Sequence, residues 1–156
     1  MLIGAGPVGQ QVARLAVALD FAVTVIDDRT SLLDPQNFPP EVALIAGEVE
    51  HVLPGLATTA DDFVAIISQV WQRDAQALEI LIDRPLAYLG MIGCQRKLGD
   101  VLPKLAEQGV PQEQIGKVFA PIGIYIGSRT PAEIAVSICA ELVGVRSGKI
   151  SRPAAI

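Results

Sequence analysis

Leu2 and Ile3 run directly into Gly4, Gly6 and Gly9, a G-x-G-x-x-G turn, and Val8, Val12, Leu15, Ala16 and Leu19 then recur at helical spacing. A glycine turn between a strand end and a helix start narrows the choice of folds more than anything else in this chain. Each position has a physical task in such a turn. Gly4 permits the tight bend, Gly6 lets a phosphate approach the backbone, and Gly9 lets the helix pack close. Pro7 falls at the first helical position, where its missing N–H is no loss. The exposed N–H groups and the positive end of the helix dipole together attract an anion.

An acid strengthens this reading. Asp27 lies 18 positions after Gly9, near the ~20 expected when an acidic residue ends the second strand of a dinucleotide site. Asp27 or Asp28 would accept hydrogen bonds from a ribose diol and repel a 2′-phosphate, which favours NAD(H) over its phosphorylated form. The adjacent Arg29 counts the other way. A glycine turn that only packs, beside an incidental acid, is the structural alternative.

The remaining chain alternates strand and helix. Strands are expected at 21–28, 42–47, 61–68 and 86–93. Helices are expected at 7–19, from Asp74 to Ile82 with Asp74 as N-cap, after Cys94 with a bend or break before Pro103, and from Pro131 to Arg146. Thr130-Pro131-Ala132-Glu133 marks the last start as a capping box. Such alternation predicts an α/β, Rossmann-like, doubly wound and mostly parallel sheet with helices on both faces. The composition agrees: 51% of residues are hydrophobic but only 4% aromatic, so the core is aliphatic. A length of 156 residues fits a single domain, with a frayed tail at 147–156.

Composition also excludes functions. The net charge is −5, and no basic run is longer than Arg96-Lys97, so no nucleic-acid partner is expected. No apolar stretch reaches the ~18 residues needed to span a bilayer, and no membrane role is expected. Two cysteines are too few for a disulfide scaffold, and a cytoplasmic location is the expectation. His51 has no metal-type partner at useful spacing, no catalytic acid–base or nucleophile set is visible, and neither a catalytic residue nor a metal site is assigned.

Two further glycine-to-helix junctions repeat the first. In "GMIGCQRK", Gly93 ends a strand and Cys94, Arg96 and Lys97 fall in the next helical turn. Cations there oppose the helix dipole unless an anion sits between them and the backbone. The same surroundings would lower the Cys94 thiol pKa; a nucleophilic thiol and a small residue fitting a tight turn are both open readings. In "GSRTPAE", Gly127, Ser128, Arg129 and Thr130 precede the last helix. Thr130 is read as a cap and Arg129 as free to meet a phosphate or carboxylate.

Taken together, "GAGPVGQQVARLA…VTVIDDR", "AYLGMIG" with "RK", and "APIGIYIGSRTPAEIAVSI" resemble the C-terminal Rossmann domain of the XdhC/CoxI family, accessory proteins of xanthine dehydrogenase and related molybdenum hydroxylases. The resemblance runs from Leu2 to about Arg146. It implies an accessory chaperone rather than a catalyst. Such a module binds molybdenum cofactor (molybdopterin), protects it during sulfuration and hands it to the hydroxylase, with a cysteine desulfurase as a second partner. By position, Gly4, Gly6 and Gly9 match the phosphate loop, and Asp28 and Arg29 the acid and base ending the second strand. Gly93, Arg96 and Lys97 match the second junction; Pro121, Gly123, Gly127, Arg129, Thr130, Pro131 and Glu133 match the third. The departures are Pro7 in place of a histidine, Cys94 in place of a serine, Tyr125 in place of an aspartate, and "SQVWQRD", where only Asp74 matches. The family also carries an N-terminal domain, which the resemblance implies is supplied in cis or in trans, with homodimerisation left open. The competing readings are an NAD(H)-binding oxidoreductase or redox-sensing domain, and a dimerisation scaffold with an empty crevice.

Overall fold

The computed structural model describes residues 1–68, 70–93 and 95–151, with the backbone alone at 95–98 and 100. Five parallel strands form one sheet: β1 (Leu2–Ile3), β2 (Thr24–Asp27), β3 (Ala43–Ala46), β4 (Phe63–Ile66) and β5 (Tyr88–Met91). Their spatial order is β3-β2-β1-β4-β5. The chain therefore winds outward from β1 to β3, crosses back, and winds outward again through β4, which puts the topological switch point between β1 and β4.

The helices are α1 (Pro7–Ala18), α2 (Val49–Val52), α3 (Trp71–Leu81), α4 (Gln95–Glu107), α5 (Gln112–Ile115) and α6 (Pro131–Arg146). They cover both faces, as the alternation requires, and the period-two alternation of the strands divides the core accordingly. Leu2, Val25, Ala65 and Tyr88 pack with Val12 and Ala16 of α1 and with Ile138 and Leu142 of α6. Ile3, Ile26, Val64, Ile66 and Met91 pack with Leu78 and Leu81 of α3 and with Val101 and Leu105 of α4. Burying an aliphatic side chain of this size contributes about 1.5–3 kcal/mol. The two aliphatic layers thus fix which helix lies on which face.

Several elements differ from the sequence expectation. Residues 21–23 do not join β2, and β4 starts at Phe63 rather than at 61. β1 pairs through Leu2 and Ile3 with Val25 and Ile26 of β2 and with Ala65 and Ile66 of β4. Asp74 does not cap α3: the N-cap is Val70, and Asp74 is buried inside the first turn. There it accepts from Ser68 Oγ at 2.5 Å. No break precedes Pro103, since α4 runs through it. The segment after α5 makes a single bridge, Phe119 to Gly90. Residues 147–150 fold back instead of fraying: the Lys149 and Ile150 N–H groups donate to Gly144 O, and Ile150 packs on the α1/α6 core. No helix among the described residues is long and apolar enough to cross a membrane.

Candidate functional site

The glycine loop joins the carboxyl end of β1 to α1, beside the switch point. Its three glycines are under different constraints. Gly4 has φ +120°, and a Cβ there would lie 2.7 Å from Ile67 O. A Cβ on Gly9 would lie 2.1 Å from Gly4 O. Those two positions exclude side chains for internal reasons. Gly6 is different: its φ is −68°, which any residue adopts, and a Cβ there would meet nothing within 4 Å. Pro7 is exposed at the helix start, and no side chain caps α1. An uncapped helix start under open space is chemically a cradle for an oxyanion.

Asp27 supports the loop from below. It is 2% exposed. Its Oδ2 accepts from Ala5 N–H at 2.8 Å and from Arg29 Nη2 at 2.8 Å. Its Oδ1 accepts from Arg29 N–H and Arg29 Nε, both at 2.9 Å. Burial pushes the carboxyl pKa up, but the Arg29 side chain and the Ala5 and Arg29 backbone donors outweigh it and hold the group well below the usual carboxylate range. The acid at the end of β2 is thus committed to the fold of the loop.

Asp28 is occupied as well, by a residue the sequence reading did not single out. Arg73, in the first turn of α3, donates through Nη2 to Asp28 Oδ2. Its Nη1 lies 3.8 Å from Asp27 Oδ1. Because β1 lies between β2 and β4, this ion pair spans the end of β1. Arg73 Nη1 and Asp28 Oδ1 are buried and make no hydrogen bond among the described residues. The signal was available: a cation in the first helical turn is the feature that singled out Arg96 and Lys97. It was hidden by starting α3 at Asp74.

The second junction is partly described. Gly93 follows β5 at the same carboxyl edge, half-buried. Cys94 and the side chains of Arg96 and Lys97 lie outside the described residues. The third junction also faces this edge, because Phe119 runs parallel to β5 and α6 packs alongside α1. The Arg129, Thr130 and Glu133 N–H groups are already used. Glu133 Oε2 accepts from Arg129 N–H at 2.8 Å and Thr130 N–H at 2.9 Å, and Thr130 Oγ1 accepts from Glu133 N–H at 3.2 Å. The capping box expected from sequence is present. Arg129 is exposed, Ser128 half-buried, and Gly127 has φ +73°.

Beneath this junction lies a second buried polar pair that sequence pattern did not reveal. Tyr88 Oη donates to Glu141 Oε1 at 2.6 Å, and Gly123 N–H donates to the same oxygen at 2.9 Å. Burial, and then the Glu141 charge, push the phenol pKa far above its usual value, so Tyr88 remains a donor. At the β3–α2 junction, ligand atoms of exposed Glu48 and His51 and half-buried Glu50 lie within 4.8 Å of one another. Such acidic groupings are common without an ion.

This sheet order, with a bare glycine turn at its switch point, defines a Rossmann-type α/β domain. Over residues 1–142 the chain matches the family model described as XdhC Rossmann domain, and it belongs to that family. It is 38% identical over 148 residues to the uncharacterized protein YqeB of Escherichia coli, covering 94% of this chain and 27% of that protein. It is 28% identical over 146 residues to a probable xanthine dehydrogenase subunit of Bacillus subtilis, covering 94% of this chain and 42% of that protein. A crystal structure of a xanthine dehydrogenase from Bacillus halodurans superposes with a TM-score of 0.83 at 26% identity, over 95% of this chain and 44% of that one. The chain therefore spans less than half the length of each of these relatives.

Proposed function

We propose that this chain is the ligand-binding module of an accessory protein for a xanthine dehydrogenase-type molybdenum hydroxylase. In this reading it holds molybdenum cofactor by its phosphate and presents it for sulfuration and insertion. The observation that carries the reading is the uncapped start of α1 beneath Gly6, in a chain of the XdhC Rossmann domain family. Backbone N–H groups there suit a phosphate, and the helix dipole adds about 0.3–1 kcal/mol for an anion. Arg73 Nη1 and Asp28 Oδ1, buried and without hydrogen bonds, offer a donor and an acceptor near the same edge. The partners of this reading are the hydroxylase, a cysteine desulfurase that supplies sulfur, and the portion of the relatives that this chain does not span.

Of the two acids that could take a ribose diol in an NAD(H) site, Asp27 is already occupied by four protein hydrogen bonds, whereas Asp28 Oδ1 accepts none among the described residues, so the choice between ligands falls to measurement. Calorimetry on one sample, titrated under anaerobic conditions with isolated molybdenum cofactor and separately with NADH, tests the assignment. Binding of the cofactor at least about tenfold tighter than NADH is expected. Tight NADH binding without cofactor binding would overturn it.

A further inference from the structure

At the carboxyl edge of the sheet, one ion pair is left half-made. Arg73, in the first turn of α3, bonds Asp28 through Nη2 and Oδ2. The other arm of each fork, Arg73 Nη1 and Asp28 Oδ1, is enclosed and makes no hydrogen bond among the described residues. Asp27 Oδ1 lies 3.8 Å from Nη1, beyond hydrogen-bond distance, and is already taken by Arg29. Buried charged groups ordinarily find partners, and a guanidinium and a carboxylate often do so through two parallel bonds. This pair makes one, and leaves a charged donor and a charged acceptor open on adjoining groups.

Its place limits what could complete it. A single carboxylate separates the pair from the glycine loop: Asp27 Oδ2 accepts from Ala5 N–H at 2.8 Å, and Ala5 precedes Gly6 and the uncapped start of α1. The local charges balance, Asp27 and Asp28 against Arg29 and Arg73. No surplus positive charge draws a second phosphate here, and Asp28 Oδ1 would repel one. A neutral edge with an acceptor beside a donor fits instead. A cyclic amide is such an edge, with its carbonyl next to its N–H. A ribose diol gives Asp28 a donor, but it offers the guanidinium no carbonyl. The Arg73 and Asp28 side chains are 16% and 26% exposed, so the pair stands at the surface of this edge, and rotation about side-chain bonds turns its inner atoms outward.

We infer that Arg73 and Asp28 read the ring of the ligand whose phosphate lies at the start of α1: Arg73 Nη1 donates to the ring carbonyl of a pterin, and Asp28 Oδ1 accepts from the adjoining ring N–H. The inference rests on the cofactor reading proposed for this chain, because molybdenum cofactor carries both a phosphate and a pterin, and it adds the residues that select the ring. A site built to bond such an edge rejects an analogue that lacks it, since its own polar groups are then left unpaired.

The test uses the full 156-residue chain and the variants Asp28→Ala, Arg73→Met and Gly6→Ala. Isolated molybdenum cofactor is titrated by anaerobic calorimetry, and inorganic phosphate by the amide NMR shift of Val8. Asp28→Ala and Arg73→Met are each expected to weaken cofactor binding at least about tenfold while leaving phosphate binding unchanged, and Gly6→Ala to weaken both. Pterin is expected to displace the cofactor from the native chain at a concentration at least about tenfold below that of pterin methylated on the ring N–H, and Asp28→Ala to abolish that preference. The pterin comparison needs no variant and stands if one fails to fold. The inference fails if either variant binds cofactor as the native chain does, if phosphate binding weakens in parallel, or if the two pterins compete alike. A pair that only ties α3 to β2 would lower Tm in both variants without moving the pterin preference, which also overturns it. If the native chain binds no cofactor, the cofactor reading falls and this inference with it.

Discussion

Replacing Asp27 by Asn removes one charge and turns one acceptor into a donor, with almost no change in shape. The native carboxylate accepts two hydrogen bonds on each oxygen: Arg29 N–H and Nε on Oδ1, Ala5 N–H and Arg29 Nη2 on Oδ2. An amide keeps only one of these oxygens. Whichever way it turns, its NH2 confronts two protein donors, and at least one of these is a backbone N–H with a poor route to water. Charge-assisted bonds contribute about 1.5–3 kcal/mol each, and breaking a fully buried ion pair costs about 3–5 kcal/mol. The Arg29 side chain is 38% exposed and can rehydrate, which discounts that figure. Asp27→Asn is therefore expected to lose about 2–4 kcal/mol, equivalent to a fall in Tm of about 5–15 °C for a chain of this size. Urea unfolding followed by far-UV circular dichroism, with an unchanged m-value, measures it.

The pH dependence supplies an independent check. The folded pKa of Asp27 lies below its unfolded value. Its contribution is therefore fully present above the unfolded value of about 4 and is lost as pH falls through the folded value. The native protein should lose stability steeply below about pH 4, whereas Asp27→Asn should lack that part of the acid limb. A loss smaller than about 0.5 kcal/mol, or superimposable acid limbs, would refute the view that this carboxylate anchors the loop.

The glycines of the loop should separate by role. Gly6→Ala should fold with Tm unchanged, because its Cβ meets nothing within 4 Å, but should weaken phosphate-ligand binding at least about tenfold by calorimetry. Gly9→Ala, whose Cβ would fall 2.1 Å from Gly4 O, should lose several kcal/mol in urea titration. Glu133→Ala removes one side of the capping box and should cost about 1 kcal/mol by thermal unfolding. Tyr88→Phe leaves Glu141 with only the Gly123 N–H among its described donors; it should cost about 1–3 kcal/mol, read as a lower urea midpoint.

Local chemistry determined a good part of this protein from sequence. The G-x-G-x-x-G turn, Pro7 at the helix start, the Thr130–Glu133 capping box and the aliphatic alternation all act within a few residues, so spacing alone placed them. The sheet, its doubly wound winding and the family resemblance followed from the same signals. Tertiary structure decided the electrostatics. Asp27 looked like a ligand-binding acid because its position along the chain is right, yet its occupation by Ala5 and Arg29 depends on how the loop folds over β2. Arg73 became part of the site only because β4 crosses back beside β1, which carries α3 to the end of β2. The Tyr88–Glu141 pair joins residues 53 positions apart, a separation over which no periodicity operates. Strand ends likewise escaped the sequence, because a strand extends only as far as its neighbour offers a ladder, and that neighbour is chosen by the fold.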